Sequence, residues 1–474
     1  MKQEQIDALR QHIIPNQQLL INGQWVSAAS GQTLPAISPI DGQTLCRIAA
    51  AGSEDVDQAV KTARRSFEQG VWSRMAPAER KKVLHRIADR IEAHHAELAV
   101  LGVRDNGTEI AMAWKAEPGS AAGTFRYYAE CVDKVNGEIA PTPEGTLGLI
   151  HKEPVGVVGA IVPWNFPLMI AAWKIAPALA AGCTVVHKPA EWSPLTASLL
   201  AKLAFEAGLP AGVLNLVHGT GDQAGTAITQ DPHIKAIAFV GGTKTGSRIM
   251  SQGAASLKRV HFELGGKSPV VVFDDADLDR AVDAVAFMIF SLNGQRCNAG
   301  SRLLVQDTIH DQFVQRLVEK AKSIRVGNPF DPLTEVGPLI HQNQLAKVIQ
   351  HCADAKKSGA TMHCGGAING QTDLPSAGHW FEPAIVTGLS ADMPIVQEEV
   401  FGPVVSVLTF EDEAEAIAMA NDSEYGLSGS IWTRDIGRAL RVSRGVETGN
   451  LSVNSNSSVR FWTPFGGFKQ SGLG

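Results

Sequence analysis

Short β-rich runs alternating with helical segments, twice over along the chain, predict an α/β protein with two doubly wound domains. Three observations carry that expectation. The 474 residues suffice for two or three domains at roughly 100–200 residues each. Hydrophobic residues make up 44% and charged residues 19%, enough apolar material for large cores. Apolar strands separated by helix-length segments imply parallel strands covered on both faces.

Taken in order, residues 54–130 read as helical, with Val83, Leu84, Ile87 and Ile91 placing an apolar stripe on one face. The stretch 134–153 is rich in Gly, Pro and Thr and reads as a loop or a projecting hairpin. Strands then follow at 157–162, 183–187, 213–217 and 234–240. The alternation restarts with a strand at 269–273, an apolar helix from Ala281 to Leu292 and a strand at 302–305. Further strands at 383–387, 404–410, 428–433 and 450–454 complete a second α/β unit. No internal repeat or low-complexity tract interrupts this order.

Several classes of function are disfavoured. A net charge of −6 and a pI near 6.2 argue against a dedicated nucleic-acid binder, which carries a basic face. No run of about 18 uninterrupted apolar residues marks a membrane span. The start, Met1 to Asp7, mixes charges and lacks the apolar core of a secretory signal. Six scattered cysteines without a CxxC pair read as reduced thiols, so a cytoplasmic location is expected.

Four local patterns have chemical potential. The strand at 234–240 runs into Gly241-Gly242-Thr243-Lys244-Thr245-Gly246 and a helix start, where backbone N–H groups and the helix dipole favour a phosphate. By itself this is equally a tight turn. Lys188 and Glu191 end another buried strand, where open α/β sheets bind ligands; alone they are two solvated loop charges. Cys297 lies in the polar loop Asn293–Ser301 beside Arg296, which would favour the thiolate, or it is a spare loop thiol. Glu263, ahead of Leu264-Gly265-Gly266-Lys267, is a general base or an exposed charge.

Six motifs occur in one order: Pro163-Trp164-Asn165-Phe166-Pro167, Lys188-Pro189-Ala190-Glu191, Glu263 to Pro269, Gly294-Gln295-Arg296-Cys297, Glu398 to Pro403, and Pro464 to Lys469. Together they resemble the aldehyde dehydrogenase superfamily from about residue 20 onward. The resemblance implies a Rossmann-like NAD-binding domain at 1–133 and 154–262 and a second α/β catalytic domain at 263–449. It also implies a small oligomerisation hairpin and C-terminal segment at 134–153 and 450–474, with a further tail beyond Gly474. Cys297 is then the nucleophile, Asn165 an oxyanion donor and Glu263 the base that hydrolyses a thioester. NAD contacts fall on Ile161, Val162, Pro163, Trp164, Lys188, Glu191, Gly221, Gly225, Phe239, Gly241, Gly242, Thr243, Leu264, Glu399 and Phe401. The implied partner is a small-molecule aldehyde, and the implied assembly a homodimer or homotetramer.

Two departures stand out: Gly242 where many members have Ser, and Arg296 where Val or Cys is familiar. Phe166, Trp173, Arg296, Arg460, Phe461, Trp462 and Phe465 are expected around the aldehyde, the two arginines as partners for an acidic semialdehyde or as ordinary salt bridges. The sequence around Gly241-Gly242-Thr243 and Cys297 looks like the branch that oxidises muconate-type semialdehydes. The competing readings are a Cys297 hydrolase or acyltransferase, a CoA-dependent semialdehyde dehydrogenase, whose branch generally lacks the Glu base, and a catalytically idle binding protein.

Overall fold

The computed structural model describes residues 2–366, 373–457 and 459–474. Two mixed sheets dominate. The first has eight strands in the order Gln24–Val26, Leu19–Ile21, Leu214–Leu216, Thr184–Lys188, Val157–Ile161, Ile234–Val240, Arg259–Glu263 and Gly472–Leu473. Its five central strands are parallel and its edges antiparallel. The chain lays strands outward from Val157–Ile161 in one direction, then returns to its other side with Ile234–Val240. That reversal opens a crevice at the carboxyl ends of these two strands, the usual ligand position in such sheets.

The second sheet runs Thr361–Cys364, Ala384–Thr387, Val404–Phe410, Arg302–Gln306, Pro269–Val272, Ser428–Trp432 and Asn450–Val453. Only Thr361–Cys364 is antiparallel to its neighbour. Segment 264–268 links the last parallel strand of the first sheet to the central strand of the second. Residues 450–474, grouped above with the hairpin, give one strand to each sheet. Helix Ile436–Gly445 returns the chain beside Ser428–Trp432, and Gly472–Leu473 then pairs with Phe262 and Glu263.

The helical stretch 54–130 divides into Ser53–Gln69, Pro77–Ala93, His95–Asn106 and Ile110–Cys131. Gly107 ends the third of these at φ +72, and a Cβ there would meet the rings of Pro338 and Pro39 at 2.8 and 2.9 Å. The helix expected at Ala281–Leu292 spans Leu278–Phe290 instead. Asp277 caps it by accepting from the Arg280 amide at 3.3 Å, and a left-handed Leu292 prevents its extension. Residues 138–150 form an antiparallel hairpin, Glu138 facing Ile150. Its Ile139, Leu147, Leu149 and Ile150 are exposed, as is the adjoining Val135.

Candidate active site

The seam between the sheets is built from three loops. Asn165 follows strand Val157–Ile161 and is buried; its side-chain amide donates to the Gln295 carbonyl at 2.8 Å. That bond ties it to the loop carrying Cys297 and leaves its second N–H for another acceptor. Gly266 reaches the same loop from the linker: a Cβ there would stand 2.5 Å from the Cys297 carbonyl oxygen. A Cβ on Gly265 would equally stand 2.5 Å from a Glu399 carboxylate oxygen. Both glycines therefore permit close backbone approach. Glu399 accepts from the Gly266 amide at 3.0 Å, and burial pushes its carboxyl up to about 7.

Cys297 is partly exposed, whereas Cys46, Cys183 and Cys352 are buried. Burial, reinforced by the charges of Glu263 and Glu399, pushes its thiol up to about 12. Arg296 opposes this, as its position suggested, but is outweighed. Its guanidinium is engaged elsewhere, donating to Ser291 Oγ at 2.7 Å and Asn298 Oδ1 at 3.3 Å and lying over the Phe287 ring.

Glu263 is buried and ion-paired with the equally buried Lys174. Lys174 escaped the sequence reading, yet the signal was present: it is the lone charge in the apolar helix Pro167–Ala180. A buried ammonium requires a partner. Glu117 was missed too. It accepts from the Leu168 and Met169 amides at 3.1 and 2.7 Å, holding that helix by its N-terminal turn.

Most residues expected to hold the cofactor lie at the carboxyl ends of the first sheet's parallel strands. Ile161, Val162, Pro163 and Trp164 leave the central strand, and Lys188 ends the next one. Lys188 is buried and donates to the Pro189 carbonyl at 3.0 Å and Glu191 at 3.3 Å, while Glu191 stays partly exposed. Gly221–Gly225 forms a turn, and a Cβ on Gly225 would meet Lys188 at 3.9 Å. Phe239 precedes Gly241 and Gly242, which open helix Thr243–Gly253. A Cβ on Gly242 would meet open space, so this helix start is free to receive a phosphate. Leu264 packs beneath the same helix at Gly246. Trp164 meets Phe401 edge-on at 5.2 Å, and His341, unforeseen, joins Trp164 to Trp192. Lys188, Trp164 and the start of helix Thr243–Gly253 all follow the carboxyl ends of the first sheet's parallel strands.

A cavity of about 600 Å³ lies beyond Glu263, lined by Trp173, Lys174, Arg460, Phe461 and Phe465 among others. Trp173 meets Phe465 edge-on at 5.9 Å, and Phe461 meets Trp462 at 4.7 Å. The structure does not bring the whole expected substrate set together. Among the described residues, Arg296, Phe166 and Cys297 lie outside this lining, and Phe166 packs on the first sheet's core. Arg460 is exposed, donating to Ser457 and the Val459 carbonyl. No group of three or more potential metal ligands occurs among the described residues. Nor is any described helix long and apolar enough to cross a membrane.

The chain is similar to known proteins along nearly its whole length. Residues 25–474 match the family model described as "Aldehyde dehydrogenase family". An aldehyde dehydrogenase of Emericella nidulans is 44% identical over 96% of this chain and 90% of its own length. A cytosolic 10-formyltetrahydrofolate dehydrogenase of Mus musculus is 41% identical over 96% of this chain, which spans about half, 51%, of that relative. The solved structure of an indole-3-acetaldehyde dehydrogenase complexed with NAD+ is 42% identical, with a TM-score of 0.97 over 100% of this chain and 96% of that one.

Proposed function

The chain belongs to the aldehyde dehydrogenase family, and on that premise we propose that it oxidises an aldehyde to the carboxylic acid with NAD. The carrying observation is the convergence at one seam of Cys297, an Asn165 amide tied to its loop, and a buried Glu263 ending the strand that feeds the linker, whose Gly266 lies close against the Cys297 carbonyl. An NAD-bound relative of the same fold supports the cofactor. Lys188 and Glu191 would hold the adenosine ribose, the start of helix Thr243–Gly253 the pyrophosphate, and Glu399 with Phe401 the nicotinamide side. Bound there, the nicotinamide supplies a hydride acceptor.

Cys297 acts first. Its sulfur gives the thiol proton to solvent as it adds to the aldehyde carbon. The oxygen of the resulting thiohemiacetal carries the negative charge, facing the Asn165 amide and the Cys297 backbone N–H. One such donor is worth about 10²–10³ in rate. Loss of hydride from that carbon leaves a thioester on Cys297. Glu263 then takes a proton from water as it attacks the thioester, releasing the acid and restoring the sulfur. Lys174 keeps the waiting carboxylate compensated in its buried position. The aromatic cavity beyond Glu263 favours a bulky or long-chain aldehyde, with Arg460 at its rim for an acidic tail. A homo-oligomer in the cytoplasm completes the reading, its contact made through the 138–150 hairpin.

Cys297→Ala tests the reading. The variant is expected to lose aldehyde oxidation by at least about 10³-fold while binding NAD as the native protein does, because the thiol forms the covalent intermediate and other residues hold the cofactor. Comparable turnover in the variant would remove Cys297 from the mechanism.

A further inference from the structure

The backbone leading to Cys297 is held in an unfavourable shape. Leu292, Asn293 and Gly294 take φ values of +56, +59 and +70 in succession. For residues with a Cβ this conformation crowds the following carbonyl, so it persists only where the surroundings over-determine it. Each residue has its own restraint. The Leu292 amide donates to Glu109 Oε1 at 2.9 Å. Asn293 donates through Nδ2 to the carbonyls of Gly107 at 3.1 Å and Pro338 at 2.8 Å, and its Oδ1 accepts from the Gly337 amide at 2.5 Å. Gly294 admits no side chain, because a Cβ would fall on the Gly402 carbonyl.

Two of these grips come from a single turn, residues 107–109. The residue before it, Asn106, donates to the Asn165 carbonyl at 3.4 Å and accepts from the Thr108 amide at 2.9 Å. One short turn thus holds both the oxyanion donor and the loop of the nucleophile. Glu109 itself is buried, and its Oε2 has no partner among the described residues. Burial pushes its carboxyl up to about 7, with the Leu292 amide and the Arg296 charge pulling the other way and Glu335 adding to the rise. A buried carboxyl with one oxygen on a single backbone amide of a strained loop is a costly arrangement for packing alone.

We propose that Glu109 is a positioning residue for the reaction, its carboxyl fixing the Cys297 backbone by gripping the Leu292 amide. The inference rests on the reading of Cys297 as nucleophile. Glu109 touches neither substrate nor cofactor; it acts through the turn that aims the sulfur and the Cys297 N–H.

The test compares Glu109→Gln, which keeps an acceptor for Leu292, with Glu109→Met, which fills the same volume without one and so guards against a cavity-driven failure to fold. The readouts are the NADH burst rate constant per titrated active site, the NAD dissociation constant and the rate of Cys297 alkylation by iodoacetamide. Glu109→Met is expected to slow the burst per active site on the order of tenfold to a hundredfold and to change the alkylation rate, with NAD affinity unaltered. Glu109→Gln should stay within about threefold of native, since the acceptor geometry survives. A Glu109→Met protein with a lower melting temperature but a native burst rate per site would overturn the proposal. So would Glu109→Gln proving as impaired as Glu109→Met. Turnover in Cys297→Ala, measured alongside, would instead overturn the nucleophile reading beneath it.

Discussion

Burial, with the carboxylates of Glu263 and Glu399, pushes the Cys297 thiol up and outweighs the adjacent Arg296. Arg296 pulls the other way, its guanidinium held by Ser291, Asn298 and the Phe287 ring. On the proposed reading, Glu191 sets cofactor choice at the same scale. Its partly exposed carboxylate stands beside the buried Lys188, where it would accept from a ribose 2′-OH and repel a 2′-phosphate. Glu191→Gln should therefore narrow the NAD:NADP ratio of kcat/KM by roughly tenfold to a hundredfold, read from steady-state kinetics with both cofactors. A native protein equally efficient with NADP would contradict this. The motifs of Cys297, Glu263 and Asn165 were legible as a family resemblance, and the structure brings these residues together. Glu109 was not, because only the fold brings residue 109 beside residue 292.

Helix Pro167–Ala180 shows what strand–helix alternation leaves unresolved. The partner of its single lysine is set by the fold, which pairs Arg259–Glu263 beside Ile234–Val240 and brings Glu263 against Lys174. The same holds at its start, where the acceptor for the first-turn amides is a carboxylate from helix Ile110–Cys131. Burial pushes Glu117 from an ordinary 4.5 up to about 8. Between those values the folded chain keeps a proton that the unfolded chain has lost, so this group lowers stability as pH rises across that window. Glu117→Gln retains an acceptor but cannot titrate. Its melting temperature should fall less steeply than the native one between about pH 5 and pH 8. Equal slopes in a calorimetric pH series would show that Glu117 carries no such load. Helix and strand boundaries moved most where caps intervened, as at Asp277 and Leu292, since single polar contacts set ends that apolar periodicity leaves vague.

At the scale of the molecule, the two-sheet architecture was readable from the repeated strand–helix alternation, and the crevice follows from the strand order, which sequence does not display. The 138–150 hairpin carries Ile139 73% exposed and Leu149 57% exposed, apolar surface that a partner copy would cover. Light scattering should give a multiple of the 50.4 kDa chain mass, and Ile139→Glu with Leu149→Glu should shift it toward 50.4 kDa. A native mass of 50.4 kDa would contradict the assembly. The central claim, that a thiol from the second sheet's domain carries the acyl group while the first sheet's crevice holds the hydride acceptor, is tested most directly in Glu263→Gln. Rapid mixing of that variant with NAD and excess aldehyde should release about one NADH per active site and then stall, because only water activation is lost. Mass spectrometry of the stalled protein should find the acyl group on the peptide containing Cys297. A burst that leaves the Cys297 peptide unmodified, or no burst at all, would contradict the account.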